Sequence, residues 1–207
     1  MNFDTAARYI ESFYLDDSRL NRENYIKNTE LKEFTSVIED DSSRLIQILL
    51  KISNAKKVLE IGTSIGYSTV SIATTLRENN GRVVTIEYDK AVAEQAKKNF
   101  ERTGLSNYIE LITGDCREVL PKLSGPYDVI FQDSAKPLYS ELLDDCVRLL
   151  RRGGFLIADD VLFPVMEINS EEMTQAIERF NGKVTRHPEL ETTILPVGDG
   201  LLIAVKK

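Results

Sequence analysis

Six carboxylates share a place in the pattern of this chain: Glu60, Glu87, Asp115, Asp133, Asp159 and Asp160 each end or directly follow a short run of strand-forming residues. Asp favours loops, so chance explains one or two such placements, but five runs in succession carry an acid there. Gly62 and Gly66 follow the first run, where they let the main chain turn sharply and approach a ligand closely. The helix after them points its N-terminal amides at the same spot. Glu87, closing the second run, is placed to accept hydrogen bonds from the two ribose hydroxyls of an adenosine. Asp133 follows the fourth run, and Asp159 and Asp160 follow the fifth. Neighbouring strands lie about 4.8 Å apart, so these acids can converge on one ion. Three such oxygens suit Mg²⁺, Mn²⁺ or Ca²⁺, which complete their shells with water and substrate. Two simpler explanations compete: glycines that only permit a tight turn, and an Asp159-Asp160 pair that only ends a strand.

The elements that must position these residues alternate. Strand patterns cover 57–61 (KVLEI), 82–87 (RVVTIE), 108–112 (YIELI), 127–132 (YDVIFQ) and FLIAD from 155. Helical patterns fall between them, at 89–103, stopped by Gly104, and at about 138–151, ended by Gly153-Gly154. Such alternation predicts a parallel sheet covered by helices on both faces. Runs 191–197 and 201–205 are joined only by Gly198-Asp199-Gly200, too short for a parallel crossover, so the last pair must run antiparallel. A helix opens near Asp41, Ser42 or Ser43, with Leu45, Ile48, Leu49 and Ile52 at helical spacing. Residues 1–40 read as a charged, helical N-terminal extension, and 41–207 as one cofactor-binding domain. A nicotinamide enzyme competes at this step, but its fingerprint is G-x-G-x-x-G, whereas this loop is G-x-x-x-G.

Composition narrows the partners. With 207 residues, 42% hydrophobic and 29% charged, the chain suits one ordinary α/β domain. A net charge of -7 disfavours a broad polyanion-binding face. Cys116 and Cys146 have no metal-type spacing and read as reduced thiols of a cytoplasmic protein. No signal peptide is apparent and no run approaches the ~20 apolar residues of a membrane span.

At VLEIGTSIGYSTVSIA the chain resembles the class I S-adenosylmethionine-dependent methyltransferases. Within them it is similar to the metal-dependent O-methyltransferases related to catechol and caffeoyl-coenzyme A methyltransferases. The likeness continues through VVTIEYD, GDCREVLPKL, YDVIFQDSAK, LLRRGGFLIADDVLF and LPVGDGLLIA, spanning about residues 40–205. It implies a Rossmann-like methyltransferase fold: a mostly parallel seven-stranded sheet with an antiparallel C-terminal strand and helices on both faces. It places Glu60, Gly62, Tyr67 and Ser68 around the methionine part of the cofactor. Glu87 would hold the ribose, and Asp115 with Cys116 would edge the adenine. Thr63, Gly66, Tyr88, Gly114 and Asp133 complete the implied cofactor set. Asp133, Asp159 and Asp160 match the metal-ligand positions, and Lys136 matches the general base. The likeness also implies a homodimer whose N-terminal helices help close the substrate site. One departure stands out: the family commonly carries Asn where this chain has Asp160, which leaves three carboxylates facing one divalent ion. The expected activity is metal-assisted methyl transfer to a hydroxyl of a small, catechol-like acceptor. Methylation of a hydroxylated uridine in transfer RNA is the alternative, and a cofactor-binding module without turnover is a third reading.

Overall fold

The fold is seen in a computed structural model that describes residues 3–14, 20–166 and 169–207. Residues 1, 2 and 15–19 of the expected N-terminal extension lie outside the described residues. The strands are β1 (Lys57–Ile61), β2 (Arg82–Glu87), β3 (Ile109–Thr113), β4 (Tyr127–Gln132), β5 (Leu150–Ala158), β6 (Leu190–Leu195) and β7 (Leu201–Lys206). They form a seven-stranded sheet in the order β3-β2-β1-β4-β5-β7-β6. The first five are parallel, while β7 runs antiparallel to both β5 and β6. The mixed sheet expected from the short 198–200 link is therefore present.

Alternation along the strands divides the core. Leu59, Ile61, Ile130 and Leu156 face one apolar layer, packed under α6 (Cys116–Val119), α7 (Tyr139–Leu149) and α8 (Glu171–Thr185). Val58, Val129, Phe131 and Ile157 face the other, under α3 (Asp40–Ile52), α4 (Tyr67–Arg77) and α5 (Lys90–Arg102). The same two-residue period sends Glu60 into the second layer rather than toward the strand ends. There it is fully buried, with Oε2 accepting from Thr69 and, at 2.6 Å, from Thr85. Oε1 has no partner. Burial outweighs the hydroxyl donors and pushes the carboxyl up to about 7.

Several boundaries differ from the sequence reading. The helix at 139 ends at Leu149, and β5 begins at once at Leu150. Gly153 and Gly154 therefore lie inside the strand, beside a register shift against β4. A Cβ on Gly154 would stand 2.8 Å from Asp128 O, so glycine lets the two strands close up here. In α3 the helix starts at Asp40 after Glu39, with no side-chain cap. Its buried face is Ile46 and Leu50, whereas Ile48 and Ile52 of the expected apolar stripe are exposed. Among its described residues, the N-terminal extension is helical over α1 (Phe3–Glu11) and α2 (Arg22–Lys27). Residues 31–39 run across the domain without regular structure, because distant side chains satisfy their backbone groups: Leu31 N donates to Gln95 Oε1, and Val37 O accepts from Arg22 Nε.

The amino ends of the strands are held by Asp128, whose carboxylate accepts from Lys56 N and Lys57 N at 2.8 and 2.9 Å and pairs with Arg151 Nε at 2.7 Å. Partial burial opposes the ionised form, yet these donors keep its pKa lowered. Asp128→Ala should cost about 2 kcal/mol, read as a lower thermal midpoint. Glu60 has the opposite linkage. Its folded pKa lies above the unfolded value of 4.5, so it subtracts stability progressively as pH rises from 4.5 to about 7 and by a constant amount above that. Glu60→Gln should remove that loss: relative to the variant, the wild type should fall by about 3 kcal/mol between pH 4.5 and 7, measured by urea unfolding. A difference independent of pH would contradict this assignment.

Candidate active site

Strand order reverses between β1 and β4, and a cavity of about 650 Å³ opens beyond their carboxyl ends. The two loops leaving these strands touch. Asp133 N donates to Ile61 O at 2.9 Å, and a Cβ on Gly62 would overlap Asp133 O and lie 2.7 Å from its carbonyl carbon. Only glycine fits, both for space and for the backbone, whose φ is +102°.

Further along the β1 loop, Ser64 (φ +48°) and Gly66 (φ +88°) also adopt left-handed conformations. Ser64 N donates to Glu87 Oε2 at 2.8 Å, and Asp89 N donates to Glu87 Oε1 at 2.9 Å. The Glu87 carboxylate is thus oriented by two amides on the cavity wall. Gly114, Asp115 and Cys116 line the same cavity from the end of β3. Asp115 caps α6 through Arg117 N and holds the Arg117 guanidinium at 2.6 Å, which together lower its pKa.

On the β4 side the cavity meets Asp133, Lys136 and Asp160. Lys136 is 8% exposed, and its Nζ lies 2.8 Å from Asp133 Oδ1, 2.6 Å from Asp160 Oδ2 and 3.0 Å from Tyr139 Oη. Tyr139 Oη also lies 3.1 Å from the carbonyls of Gln132 and Asp159. Its single hydrogen serves those carbonyls, so it accepts from the lysine. Burial works against the ammonium, but Tyr139, Asp133 and Asp160 outweigh it and raise the Lys136 pKa well above the usual value. In this arrangement Lys136 is a cation, not the neutral amine that a general base requires. Asp159 is buried and its Oδ1 has no partner; burial first, then Asp133 and Asp160, push its pKa well up. Asp160 is raised too, again chiefly by burial. The acids expected to surround an ion therefore meet at one rim, but Asp133 and Asp160 close on Lys136 instead. Among the described residues no three His, Cys, Asp or Glu side chains are grouped as a ready metal site.

The turn after Asp160 hangs from the C-terminal hairpin. Val161 N donates to Gly200 O and Leu162 N to Asp199 O, each at 3.1 Å, and a Cβ on Gly200 would lie 2.8 Å from Leu162 N. This turn leads to Phe163, which with Leu138 and Met173 gives the cavity an apolar wall beside Lys136.

Of the residues singled out in the sequence, Gly62, Glu87, Tyr88, Gly114, Asp115, Cys116, Asp133, Lys136 and Asp160 line this cavity. Glu60, Thr63, Gly66, Tyr67, Ser68 and Asp159 are buried and do not line it. Thr35, Ser36, Tyr139, Phe163 and Met173 escaped the sequence reading. The first two come from the irregular N-terminal segment, which has no periodic signal. Tyr139 lies three residues from Lys136, a helical spacing that could have been noticed.

Comparison with known proteins agrees with this geometry. The O-methyltransferase family model matches residues 5–207. The catechol O-methyltransferase of Niastella koreensis is 34% identical over 219 residues, covering 99% of this chain and 98% of that protein. The catechol O-methyltransferase of Mycobacterium tuberculosis is 31% identical over 176 residues, covering 81% of this chain and 80% of that one. Among solved structures, the O-methyltransferase from Bacillus cereus in complex with SAH superposes with a TM-score of 0.81 at 26% identity, covering 96% of this chain and 97% of its own. A glycine loop at the sheet's reversal point, an acid oriented by two amides on the cavity wall and a match over nearly the whole chain lead to one conclusion: the chain belongs to the S-adenosylmethionine-dependent O-methyltransferase family.

Proposed function

We propose that this enzyme methylates a phenolic hydroxyl of a small, catechol-like acceptor with the help of a divalent cation. The observation that carries the reading is Lys136 Nζ, held between two cavity carboxylates and walled by Phe163, Leu138 and Met173. A flat apolar ring packs against such a wall while its hydroxyl edge reaches the polar groups.

S-adenosylmethionine supplies an electrophilic methyl group on its sulfonium. The chain's task is to seat it and to align an oxygen behind that methyl, which is where much of the rate advantage of such a transfer lies. Glu87, already aimed by Ser64 N and Asp89 N, takes the ribose hydroxyls. The first-turn amides of α4, at Tyr67 and Ser68, lack intrahelical partners and would take the carboxylate at the amino acid end of the cofactor. The donor set fits a hard cation in chemistry: three carboxylates, one with a buried oxygen that has no partner. Asp133, Asp159 and Asp160 would hold the ion, after Lys136 gives up its two carboxylates. A divalent ion there supplies a Lewis acid that lowers the pKa of the acceptor hydroxyl. Lys136 would be the proton acceptor at Nζ: burial works against its charged form and favours the free amine when Tyr139, Asp133 and Asp160 no longer hold the ammonium. The buried, unpaired cysteines suit a reducing cytoplasm.

Charge separates this reading from its neighbours. Among the described residues, the cavity presents Glu87, Asp89, Asp115, Asp133 and Asp160 against Arg117 and Lys136 alone. Both cations are already paired. A coenzyme A thioester or a transfer RNA brings phosphates, which need cations this wall does not offer.

A panel of catechols, hydroxycinnamoyl-coenzyme A esters and undermodified transfer RNA, assayed by labelled methyl transfer with Mg²⁺, Mn²⁺ or chelator, tests the reading. Catechols should be methylated in metal and at least about a hundredfold more slowly in chelator. Lys136→Met should reduce kcat by about 10² or more with cofactor binding retained. Full activity of Asp133→Ala in chelator would sink the metal role, and preference for either phosphate-bearing acceptor would sink the substrate class. Gly62→Ala should weaken S-adenosylhomocysteine binding by at least about tenfold in calorimetry, since the loop must move away from Asp133.

A further inference from the structure

We propose that Tyr25, in the N-terminal segment outside the cavity, is a positioning residue for cofactor binding: its hydroxyl locks the peptide between Ile65 and Gly66. Tyr25 is 1% exposed and does not line the cavity. It comes from α2, which Asn21 caps and which Arg22 N ties to Asp40 Oδ1 at 2.8 Å. Its ring packs against Tyr67 at 5.4 Å between centroids, and its Oη donates to Ile65 O at 3.1 Å. Asn99 Nδ2 donates to the same carbonyl at 2.9 Å and also reaches Thr29 Oγ1, which ties α5 to the segment. Ser64 Oγ, one residue earlier in the loop, donates to Thr35 O at 2.9 Å.

The reason a hydroxyl matters here is conformational. Three of the five residues from Gly62 to Gly66 have positive φ, so the loop holds a conformation that its own backbone does not favour strongly. The Ile65–Gly66 peptide is the one most free to flip, because glycine tolerates either orientation. Its two polar ends are both pinned: Gly66 N donates to Thr63 O at 2.9 Å, and the carbonyl is held by Tyr25 and Asn99. This peptide immediately precedes α4, so its plane sets where the first-turn amides of Tyr67 and Ser68 point. Gly66 offers α4 no side-chain cap, which leaves those amides for a ligand. A Cβ at Gly66 would meet Phe100 and come within 3.3 Å of Tyr25 Oη, so the segment presses directly on the turn. Without the hydroxyl, Asn99 alone restrains the carbonyl, and part of the binding free energy is spent on ordering the loop.

The inference rests on the cofactor reading above, so wild-type binding of S-adenosylhomocysteine is measured first; if it does not bind, that reading fails rather than this one. Tyr25→Phe should then raise the Kd for S-adenosylhomocysteine and the KM for S-adenosylmethionine by about tenfold, with kcat and acceptor KM unchanged. Asn99→Ala should act in the same direction, and the double variant should depart from additivity, because both groups hold one carbonyl. Glu30→Ala breaks only the surface pair with Lys98 and should leave Kd unchanged. An unaltered Kd in Tyr25→Phe, whatever its thermal midpoint, overturns the proposal. So does a fall in kcat at unchanged KM, or a loss in Glu30→Ala as large as that in Tyr25→Phe.

Discussion

The contact between the ends of β1 and β4 is the constraint on which the rest of the site depends. Parallel neighbours at a reversal of strand order send their connections to opposite faces, which opens a cleft between them. Here the cleft has a floor because Gly62 lets one loop lie against the carbonyl of Asp133. That single contact sets the distance between the half of the cavity that carries Glu87 and the half that carries Asp133 and Lys136. Any side chain at 62 would widen it, and two well-formed half-sites would no longer share one transfer distance.

Charge in the second half is arranged by mutual dependence. Lys136 is ionised because two carboxylates and a phenol surround it, and those carboxylates are tolerated in a poorly solvated rim because the ammonium is there. Asp159 stands beside them with an oxygen that nothing satisfies. Such a cluster is electrostatically unfinished, in the sense that one more positive charge relieves both the unpaired acid and the crowding. Asp160, where an amide is usual in the family the chain resembles, adds to that demand and to the hold on Lys136.

Much of this was legible in the sequence. The strand patterns at 57–61, 82–87 and 127–132 match β1, β2 and β4, because buried parallel strands are short, apolar and closed by polar turns. The short link at 198–200 dictated the antiparallel pair. What escaped detection shares a cause: it depends on partners distant in the chain. Glu60 has the position of a strand-end acid, yet alternation turns it into a core layer of threonines. Residues 31–39 carry no period because their backbone bonds go to Gln95, Ser64 and Arg22 rather than to each other. Ile48 and Ile52 fit a helical stripe, but the helix is rotated by what α4 offers to Ile46 and Leu50.

The hairpin formed by β6 and β7 has a role beyond closing the sheet. Its tight turn at Asp199-Gly200 carries the backbone of Val161 and Leu162, and through them the aromatic wall at Phe163. The same hairpin also reaches α3, where Gly198 N donates to Asp41 Oδ2 at 3.2 Å, and Leu201 packs in the core layer that holds Ile65 and Tyr67. One distal turn is therefore mechanically linked to the aromatic wall of the cavity, so insertions or exchanges there reshape that wall from a distance. A scaffold tied in this way can remodel its cavity from the C-terminal edge inward.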